Sequence, residues 1–340
     1  MKPLLSFILC LILSSCSTSK KTLNLFVWSD YIAPEVIEAF EKDYDCTVVI
    51  DTYDSNESMY AKLQMGASGY DIIFPTEYFV SFLDKQEMLE KLEIDQLPNY
   101  HYIDWERVKK LHFKPLETAL PYMISYTGIG YRNDRLETPS SWTIFGDKAY
   151  QGRMTMLSDL REVIGVGLLT LGYNVNTIHQ DEINAAKDLI ISWKKNLAKF
   201  ESEQYKNGIA SAEFLLAQSY SGEILQVMED SDDISFVIPK EGGIISNDTV
   251  AILKNAPHKE LAYAFINNLL DPKVAARNML KVKAFTPNLG AYNILPKYFL
   301  ENDTIFPSHA IIKKSQVIRP LGKSITLYQD AWDEIKNSSL

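Results

Sequence analysis

The sequence predicts an α/β fold built from parallel strands, with room for two domains. Residues 23–27 form an apolar run typical of a buried strand, a helical pattern follows with Pro34 in its first turn, and residues 48–50 form a second apolar run. Strand, helix and strand within about 30 residues predict a parallel βαβ unit. The composition is globular, with 46% hydrophobic and 23% charged residues, and 340 residues are enough for two domains.

The stretch that follows the first strand carries candidate binding chemistry. Trp28, Ser29, Asp30 and Tyr31 lie where a parallel sheet places its ligands, at the carboxyl end of a strand. An indole, a carboxylate and a phenol together suit an organic cation, through attraction to the rings and charge-assisted hydrogen bonds. Two structural interpretations stay open from these residues alone: Ser29 or Asp30 caps the next helix, or Trp28 belongs to the core.

The rest of the chain continues the alternation of strands and helices. Asp54 and Glu57 have capping-box spacing before a helix. A strand at 70–74 is followed by Thr76 and Tyr78, so a second strand end presents polar and aromatic side chains. Further predicted elements are an extended crossing between domains at 120–131, a strand at 154–157 followed by a helix, a helix at 183–197 with Trp193 in the core, strands at 234–238 and 250–253, and a last helix at 325–335.

The first 16 residues differ from the rest of the chain. Lys2, an apolar run over residues 4–13 and small residues before Cys16 predict a secretory signal, which is too short to span a bilayer as a mature helix. The pattern also resembles a bacterial lipoprotein signal, in which the cysteine becomes lipidated and N-terminal; a chance cysteine is the alternative. Residues 17–21 would then be a tether, and Cys46 is predicted to be a buried small hydrophobe without a disulfide partner.

Charge and missing motifs argue against several function classes. A net charge of −10 disfavours nucleic acid and suits cationic ligands. The five histidines show no metal-ligand pair, and no Gly-x-Ser-x-Gly elbow is present. Gly322-Lys323-Ser324 resembles the end of a phosphate-binding loop, but Val317 stands where that loop needs its first glycine. The sequence therefore predicts neither a metal nor a cofactor, and it offers no reason to expect an enzyme.

Several ordered segments resemble the spermidine/putrescine-binding proteins of bacterial polyamine ABC transporters, over nearly all of the chain after the signal. The segments are Trp28-Ser29-Asp30-Tyr31, Ser55-Asn56-Glu57 with Met59-Tyr60, Tyr70-Asp71, Asp159-x-Arg161-Glu162, Pro239-Lys240-Glu241-Gly242-Gly243 and Thr286-Pro287-Asn288. The resemblance implies an α/β, two-lobed periplasmic-binding-protein fold of type II, each lobe a mostly parallel sheet flanked by helices, with the ligand cleft between the lobes. Lobe 1 would hold residues 22–124 and 247–294, and lobe 2 residues 125–246 and 295–340.

The same resemblance implies a function. The protein would bind putrescine or spermidine as a periplasmic or extracytoplasmic, lipid-anchored monomer, and would deliver the amine to the membrane permease of an ABC transporter. Ser29, Asp30 and Glu223 resemble the putrescine-binding branch, which favours putrescine slightly. The alternatives are a polyamine sensor and a binder of another small cationic ligand such as an amino acid, for whose carboxylate Arg161 is the candidate cation.

The resemblance also assigns ligand-binding positions. The first cluster consists of Trp28, Ser29, Asp30 and Tyr31, and the second of Thr76 and Tyr78. The two acids that bind amines are Asp159 and Glu162, Tyr220 stands in place of a tryptophan platform, and Glu223 stands where the putrescine branch has an aspartate. The main ammonium-binding carboxylate is Asp248, and the hydrogen-bonding glutamine is Gln316.

Each assignment has a structural alternative, and two positions depart from the family pattern. Asp159 and Glu162 also form a capping box, Tyr78 and Tyr220 could be packing residues, and Asp248 could cap or turn. Ser246 stands where these binders have Trp or Phe, and Ala284 stands near a Tyr of the spermidine branch. The cleft is therefore expected to be wider, wetter, or refilled by Phe285 or Tyr292.

Overall fold

The computed structural model describes residues 20–66, 68–111, 113 and 116–338. The predicted signal, with Cys16, and residues 17–19 of the predicted tether lie outside the described residues. The described strands are β1 Lys21–Trp28, β2 Cys46–Tyr53, β3 Ile72–Ile73, β4 Ala119–Arg132, β5 Met154–Met156, β6 Leu197–Phe200, β7 Leu216–Tyr220, β8 Ile234–Val237, β9 Ile244–Ile252 and β10 Gln316–Val317. The described α-helices are α1 Pro34–Tyr44, α2 Asn56–Gln64, α3 Glu77–Lys85, α4 Trp105–Lys110, α5 Leu160–Thr170, α6 Gln180–Lys194, α7 Tyr205–Ala210, α8 Ser221–Met228, α9 Lys259–Leu269, α10 Pro272–Val282, α11 Lys297–Leu300, α12 His309–Lys314 and α13 Ile325–Asn337.

The first βαβ unit confirms the predicted parallel sheet. β1 and β2 pair in parallel from Lys21 with Cys46 to Trp28 with Tyr53, and α1 connects them with Pro34 in its first turn. The α1 pattern buries Val36 and Phe40 against the sheet. β3 adds to the other side of β1, also in parallel. A second parallel group, β7, β5 and β6, forms from the middle of the chain.

Two long antiparallel strands join these parallel groups into one sheet. The strand order is β2-β1-β3-β9-β4-β7-β5-β6, with β10 on β9 and β8 on β4. β4 covers the predicted crossing at 120–131, and it pairs with β9 along most of that length. The sheet is therefore mixed, because each parallel group reaches its neighbour through strands that run in opposite directions.

Two element boundaries differ from those predicted, since β9 begins at Ile244 rather than at residue 250 and α6 ends at Lys194 rather than at residue 197. Two predictions near the second strand end are also wrong in detail. The N-cap of α2 is Ser55, which exchanges hydrogen bonds with Ser58, whereas Asp54 accepts a hydrogen bond from the Ser58 hydroxyl at 2.7 Å. β3 has only two residues, because the chain after Ile73 turns toward α3 at Pro75. Neither difference moves the strand end that carries Thr76 and Tyr78.

The apolar faces pack as the helical and strand periods predict. Trp193 is 3% exposed and belongs to the core, and Cys46 is fully buried at the start of β2. α5 is buried almost all round, with Val163, Ile164 and Val166 inaccessible to solvent. As far as residues 20–338 are described, no helix combines the length and hydrophobicity that crossing a bilayer requires.

Candidate functional site

One cavity of about 90 Å³, here called the cleft, collects most of the predicted ligand-binding residues. Strand ends and helix starts deliver them: β1 ends at Trp28, β7 ends at Tyr220, and Thr76 and Asp159 precede α3 and α5. A volume of this size exceeds several times the roughly 10–15 Å³ that one water needs, so the cleft can hold a short, narrow chain. The predicted residues that line it are Trp28, Ser29, Asp30, Tyr31, Thr76, Tyr78, Asp159, Glu162, Tyr220, Glu223 and Asp248.

Asp248 lies inside β9, so it neither caps a helix nor belongs to a turn. The hydroxyl of Tyr31 donates to its Oδ2 at 2.5 Å, and the hydroxyl of Thr76 donates to its Oδ1 at 2.7 Å. Burial raises the pKa of Asp248 to about 6, although both hydrogen bonds favour the charged form. The carboxylate is therefore oriented by residues from two other segments, and its charge still lacks a neutralising partner among the described side chains.

Asp159 and Glu162 do not form the reciprocal capping box that their spacing allows. Asp159 caps α5, since its Oδ1 accepts from the backbone N–H groups of Arg161 at 2.8 Å and Glu162 at 3.0 Å. Glu162 does not return a bond to Asp159; its Oε1 accepts from the Ser246 hydroxyl at 3.1 Å. Burial, followed by the charge of Asp159, raises the pKa of Glu162 to about 8. Both carboxylates line the cleft.

Asp30 pairs with a cation that the sequence analysis did not single out. It has a left-handed backbone, with φ of 55°, and it does not cap α1, whose N-cap is Ala33. Lys206 Nζ donates to Asp30 Oδ2 at 3.0 Å, and both residues line the cleft. This contact, and then the charge of Lys206, lowers the pKa of Asp30. Burial raises the pKa of Glu223 to about 7, and the charge of Lys206 opposes that rise.

Aromatic rings form part of the cleft wall. Trp28 uses its one polar atom inside the protein, because Nε1 donates to the carbonyl of Phe74 at 2.8 Å. Its indole packs edge-on against Tyr53 with ring centroids 4.5 Å apart. Tyr78 is 7% exposed, and its hydroxyl accepts from Asn56 Nδ2 at 3.3 Å. Packing and lining therefore coexist in these residues, so the structural alternative and the binding role do not exclude each other.

Gln316 lies away from the cleft. Its Oε1 accepts from the backbone N–H of Val175 at 3.0 Å, and it lines a second cavity of about 960 Å³, here called the rear cavity. Ligand binding by Gln316 stays a prediction, and its observed bonds tie β10 to the segment before α6. The charged residues that line the rear cavity are Arg107, Lys110, Lys313 and Arg319, with His309 beside them and no described carboxylate.

The two departures from the family pattern both face the cleft. Ser246 and Ala284 line it, so a ring at position 246 would occupy part of the cleft. Neither Phe285 nor Tyr292 refills the space: their rings stack on each other at 5.8 Å, and Phe285 lines the rear cavity. The cleft is therefore wider at Ser246 than a tryptophan or phenylalanine would leave it.

Several residues that line the cleft were missed from the sequence. No local pattern singles them out, because each is an ordinary polar or apolar residue of a loop, a strand or a helix until the fold brings it to the cleft. Lys206, for example, follows Tyr205 at the start of the short helix α7. The missed lining residues are Asp54, Ser125, Ser202, Glu203, Lys206, Gly222, Gln226, Val282 and Ile318.

The cleft is strongly acidic. Its carboxylates belong to Asp30, Asp54, Asp159, Glu162, Glu203, Glu223 and Asp248, and Lys206 alone among the described lining residues is a cation. No group of three or more described His, Cys, Asp and Glu side chains is arranged to hold a metal ion. Buried carboxylates with raised pKa values are partly protonated when the cleft is empty, and a bound organic cation would favour their charged forms.

Comparisons with known proteins identify the family of the chain. The sequence profile of the family described as bacterial extracellular solute-binding protein matches residues 35–306. A spermidine/putrescine-binding periplasmic protein of Escherichia coli K12 is 32% identical over 318 residues, which cover 93% of this chain and 91% of that protein.

Solved structures extend the likeness to the fold. A protein of Listeria monocytogenes, named for a spermidine/putrescine ABC transporter, is 29% identical with a TM-score of 0.86, over 94% of this chain and 99% of that one. A lipoprotein of Treponema pallidum is 31% identical with a TM-score of 0.80, over 93% and 99% of the two chains. The two-lobed fold of periplasmic binding proteins is therefore the fold of this chain.

Proposed function

We propose, from the premise that this chain belongs to the bacterial extracellular solute-binding protein family, that it binds a polyamine in the cleft and delivers it to an ABC transporter permease. The observation that carries the proposal is the lining of the cleft, where seven carboxylates accompany the rings of Trp28, Tyr31, Tyr78 and Tyr220. The E. coli relative is named for spermidine and putrescine, and the chain aligns with it over nearly its whole length.

The physics of such a site is an exchange of solvation. An ammonium group loses water on entering the cleft, and a buried carboxylate such as Asp248 must replace that water with a charge-assisted hydrogen bond. The methylenes between ammonium groups lose contact with water against the rings, and the rings also attract the charge. Because an unpaired buried charge is costly, the number and spacing of carboxylates select the ligand.

Binding of an amino acid is the second candidate. It requires a cation that receives the carboxylate of the ligand, and Arg161 and Lys206 are the two cations to consider. Arg161 lies outside the cleft lining, and its guanidinium donates to the carbonyls of Arg319 at 3.0 Å and Val175 at 3.3 Å. It is therefore a structural cation. Lys206 does line the cleft, and a ligand carboxylate would have to compete there with Asp30.

Calorimetry tests both candidates. The purified protein is titrated with putrescine, cadaverine, spermidine and spermine, and with lysine, ornithine and glutamate as amino acids of either charge. We expect at least one polyamine to bind at micromolar concentration or below and each amino acid to bind at least tenfold more weakly. Tighter binding of an amino acid than of every polyamine would refute the proposal.

We propose further that the two lobes divide at the boundaries expected from the sequence. The crossings at 124/125 and 246/247 meet, since Ile124 pairs with Asn247 and Ser125 with Ser246 in the β4–β9 ladder. A division at that point lets both strands bend together when the lobes close on a ligand. X-ray scattering should show a smaller radius of gyration on adding putrescine; an unchanged radius at saturation would contradict closure.

Anchoring by a lipid on Cys16 completes the proposal. The signal-like residues before Cys16 support it, and the Treponema pallidum relative is a lipoprotein. A multiply acylated cysteine would hold the protein stably at a membrane surface. Cys16→Ser should release the protein from the membrane fraction or leave an unprocessed precursor; an unchanged fraction and an unchanged mass would refute anchoring.

The proposed role is binding without covalent chemistry, by a monomer. Transport and sensing use the same bound state, so the ligand alone does not separate them. Deleting the gene should abolish uptake of labelled putrescine by the parent bacterium if the role is transport. Normal uptake together with a lost transcriptional response to putrescine would favour sensing.

A further inference from the structure

Lys206 and Asp30 form an ion pair across the cleft. Lys206 is the second residue of α7, and Asp30 follows β1, 176 positions earlier in the chain. Their atoms Nζ and Oδ2 are 3.0 Å apart, and the two side chains are 18% and 60% exposed. Asp30 belongs to the cluster that the proposed function assigns to an amine, so a protein cation already occupies the position in front of that carboxylate.

The surroundings of Lys206 show that its charge serves more than one acid. Glu203 and Glu223 also line the cleft. Burial lowers the pKa of Lys206, but the charges of Glu223, Asp30 and Glu203 together outweigh burial and raise it. Lys206 is therefore held in its charged form among three carboxylates. Its stem and its ammonium group resemble one end of an alkyl diamine in both charge and shape.

A second group of carboxylates in the cleft has no such cation. It comprises Asp159, Glu162 and Asp248, since, besides burial, the charge of Asp159 raises the pKa of both other acids, and none of the three forms an ion pair with a described lysine or arginine. Arg161 is close enough to oppose the raised pKa of Asp159, but its donors are directed at carbonyl groups and at Asn176. The carboxylates that still need an external cation are therefore those of this second group.

We infer that Lys206 permanently occupies one ammonium subsite of the cleft, so that the protein selects diamines over triamines. This inference rests on the proposed function. A diamine places its charges near Asp248 and Glu162 and leaves the Lys206–Asp30 pair intact. A triamine of greater length must bring its third ammonium toward Lys206, where two like charges repel, or it must displace Lys206 from Asp30.

The decisive experiment measures the ratio of putrescine affinity to spermidine affinity in the wild type and in Lys206→Met. Methionine keeps the length and the apolar stem but removes the charge, so Asp30 and Glu223 become free to receive an external ammonium. We expect spermidine to bind at least tenfold more tightly relative to putrescine than it does in the wild type. Lys206→Arg keeps the charge and should keep the wild-type ratio.

A matched control separates this effect from the loss of any partly buried lysine. Lys187 pairs with Glu334 at 2.5 Å, with side chains 14% and 61% exposed, which resembles the Lys206 pair closely, and neither residue lines the cleft. Lys187→Met should change neither affinity. In Lys206→Met/Asp30→Asn the gain for spermidine should be largely lost, because the carboxylate that the third ammonium would meet is removed.

The outcomes are distinct. An unchanged ratio in Lys206→Met, or equal weakening of both amines, would overturn the inference and leave a simple lobe-to-lobe contact for Lys206. Tighter binding of ornithine than of putrescine to the wild type, abolished in Lys206→Met, would instead make Lys206 a carboxylate receptor and overturn it too. A wild type that binds no polyamine, or that binds ornithine more tightly than every polyamine, would refute the proposed function together with this inference, whereas an unchanged ratio in Lys206→Met leaves polyamine binding standing.

Discussion

The cleft and the rear cavity lie on opposite sides of the same two strands and carry opposite charge. Ser246 faces the cleft and Ile245 the rear cavity, and on β4 Ser125 and Tyr126 divide in the same way. This follows from the alternation of side chains along a strand. The cleft presents seven carboxylates and one described lysine, whereas the rear cavity presents four lysine and arginine side chains and no described carboxylate.

The difference shows that neither the volume of a cavity nor the net charge of the whole protein identifies the candidate site. The rear cavity is about 960 Å³ against about 90 Å³ for the cleft, yet its lining repels the ligand class that an acidic protein suits. Its lysines and arginines are exposed and solvated, whereas the carboxylates Glu162 and Asp248 are buried. Burial strengthens electrostatic interaction, so the carboxylates of the smaller cavity attract a cation more strongly than solvated carboxylates would.

The largest expected effect comes from removing the best-oriented charge of the cleft. Asp248→Asn should weaken putrescine binding by about 2–4 kcal/mol, or about 30- to 1,000-fold, because it breaks a buried charge pair. Calorimetry measures the loss, and Asp43→Asn, at an exposed position of α1, is the control of equal net charge. Wild-type affinity in Asp248→Asn would remove Asp248 from the site.

The second prediction concerns pH. The empty cleft has pKa values of about 8 for Glu162, about 7 for Glu223 and about 6 for Asp248, all raised by burial. A bound ammonium stabilises the charged forms, so binding releases protons, and affinity should rise about tenfold or more from pH 6 to pH 8. Titration in buffers of different ionisation enthalpy measures the protons released, and Glu162→Gln should reduce them. Affinity independent of pH over this range would contradict these pKa values.

The same groups predict how the empty protein responds to pH. Their folded pKa values lie above the unfolded ones, so their stabilisation is complete below the unfolded pKa near 4 and is lost as pH rises through 6 to 8. Thermal unfolding should therefore show a melting temperature that falls over this range without ligand. Saturating putrescine should reduce the fall, because the ammonium groups offset the repulsion. A melting temperature that rises with pH in the ligand-free protein would contradict this prediction.

A smaller effect is expected from the ring of Tyr220. Tyr220→Leu should weaken putrescine binding by about 1 kcal/mol, because the attraction of a ring face for an ammonium group and its methylenes is lost. Tyr220→Phe retains the ring and should bind within about twofold of the wild type. Equal binding by the leucine and phenylalanine variants would show that the ring packs without touching the ligand.

The smallest effect is expected in the rear cavity. Lys110→Gln/Lys313→Gln removes two of its charges at exposed positions, and putrescine affinity should stay within about twofold, since exposed charges beyond about 10 Å are screened at physiological salt. Calorimetry against putrescine and spermidine measures this. A change as large as that of Tyr220→Leu would show that the two cavities are coupled across β4 and β9.

Much of the fold was predictable because its signals are local. The apolar runs at β1 and β2, with Pro34 between them, predicted the parallel unit that the structure contains, and the helical period predicted a buried Trp193. The N-cap of α2 was misplaced by one position, because Asp54 and Ser55 are both favourable N-cap residues and residue type alone does not distinguish them. β3 was predicted too long because the chain turns toward α3 at Pro75, although the apolar run continues to Phe74.

The candidate site was partly predictable for a related reason. Residues at strand ends, such as Trp28 and Tyr220, could be placed from the alternation of elements together with the family resemblance. The position of Asp248 inside a strand was missed, because the dipeptide Asn247-Asp248 is typical of a turn. The ion pair of Lys206 with Asp30 joins residues 176 positions apart, so the local sequence around either residue does not predict it.

The sequence by itself determined the kinds of side chain that are available and the periods by which they face one side: an acidic chain, aromatic and acidic strand ends, and two sets of parallel strands. Only the tertiary structure decided which carboxylates remain without a cation, because that depends on which charges meet across the cleft. Asp30 and Asp248 look alike along the chain, yet Lys206 neutralises Asp30, while Asp248 is buried beside the hydroxyls of Tyr31 and Thr76. Burial and pairing are properties of the folded arrangement, and they set the charge that a ligand must bring.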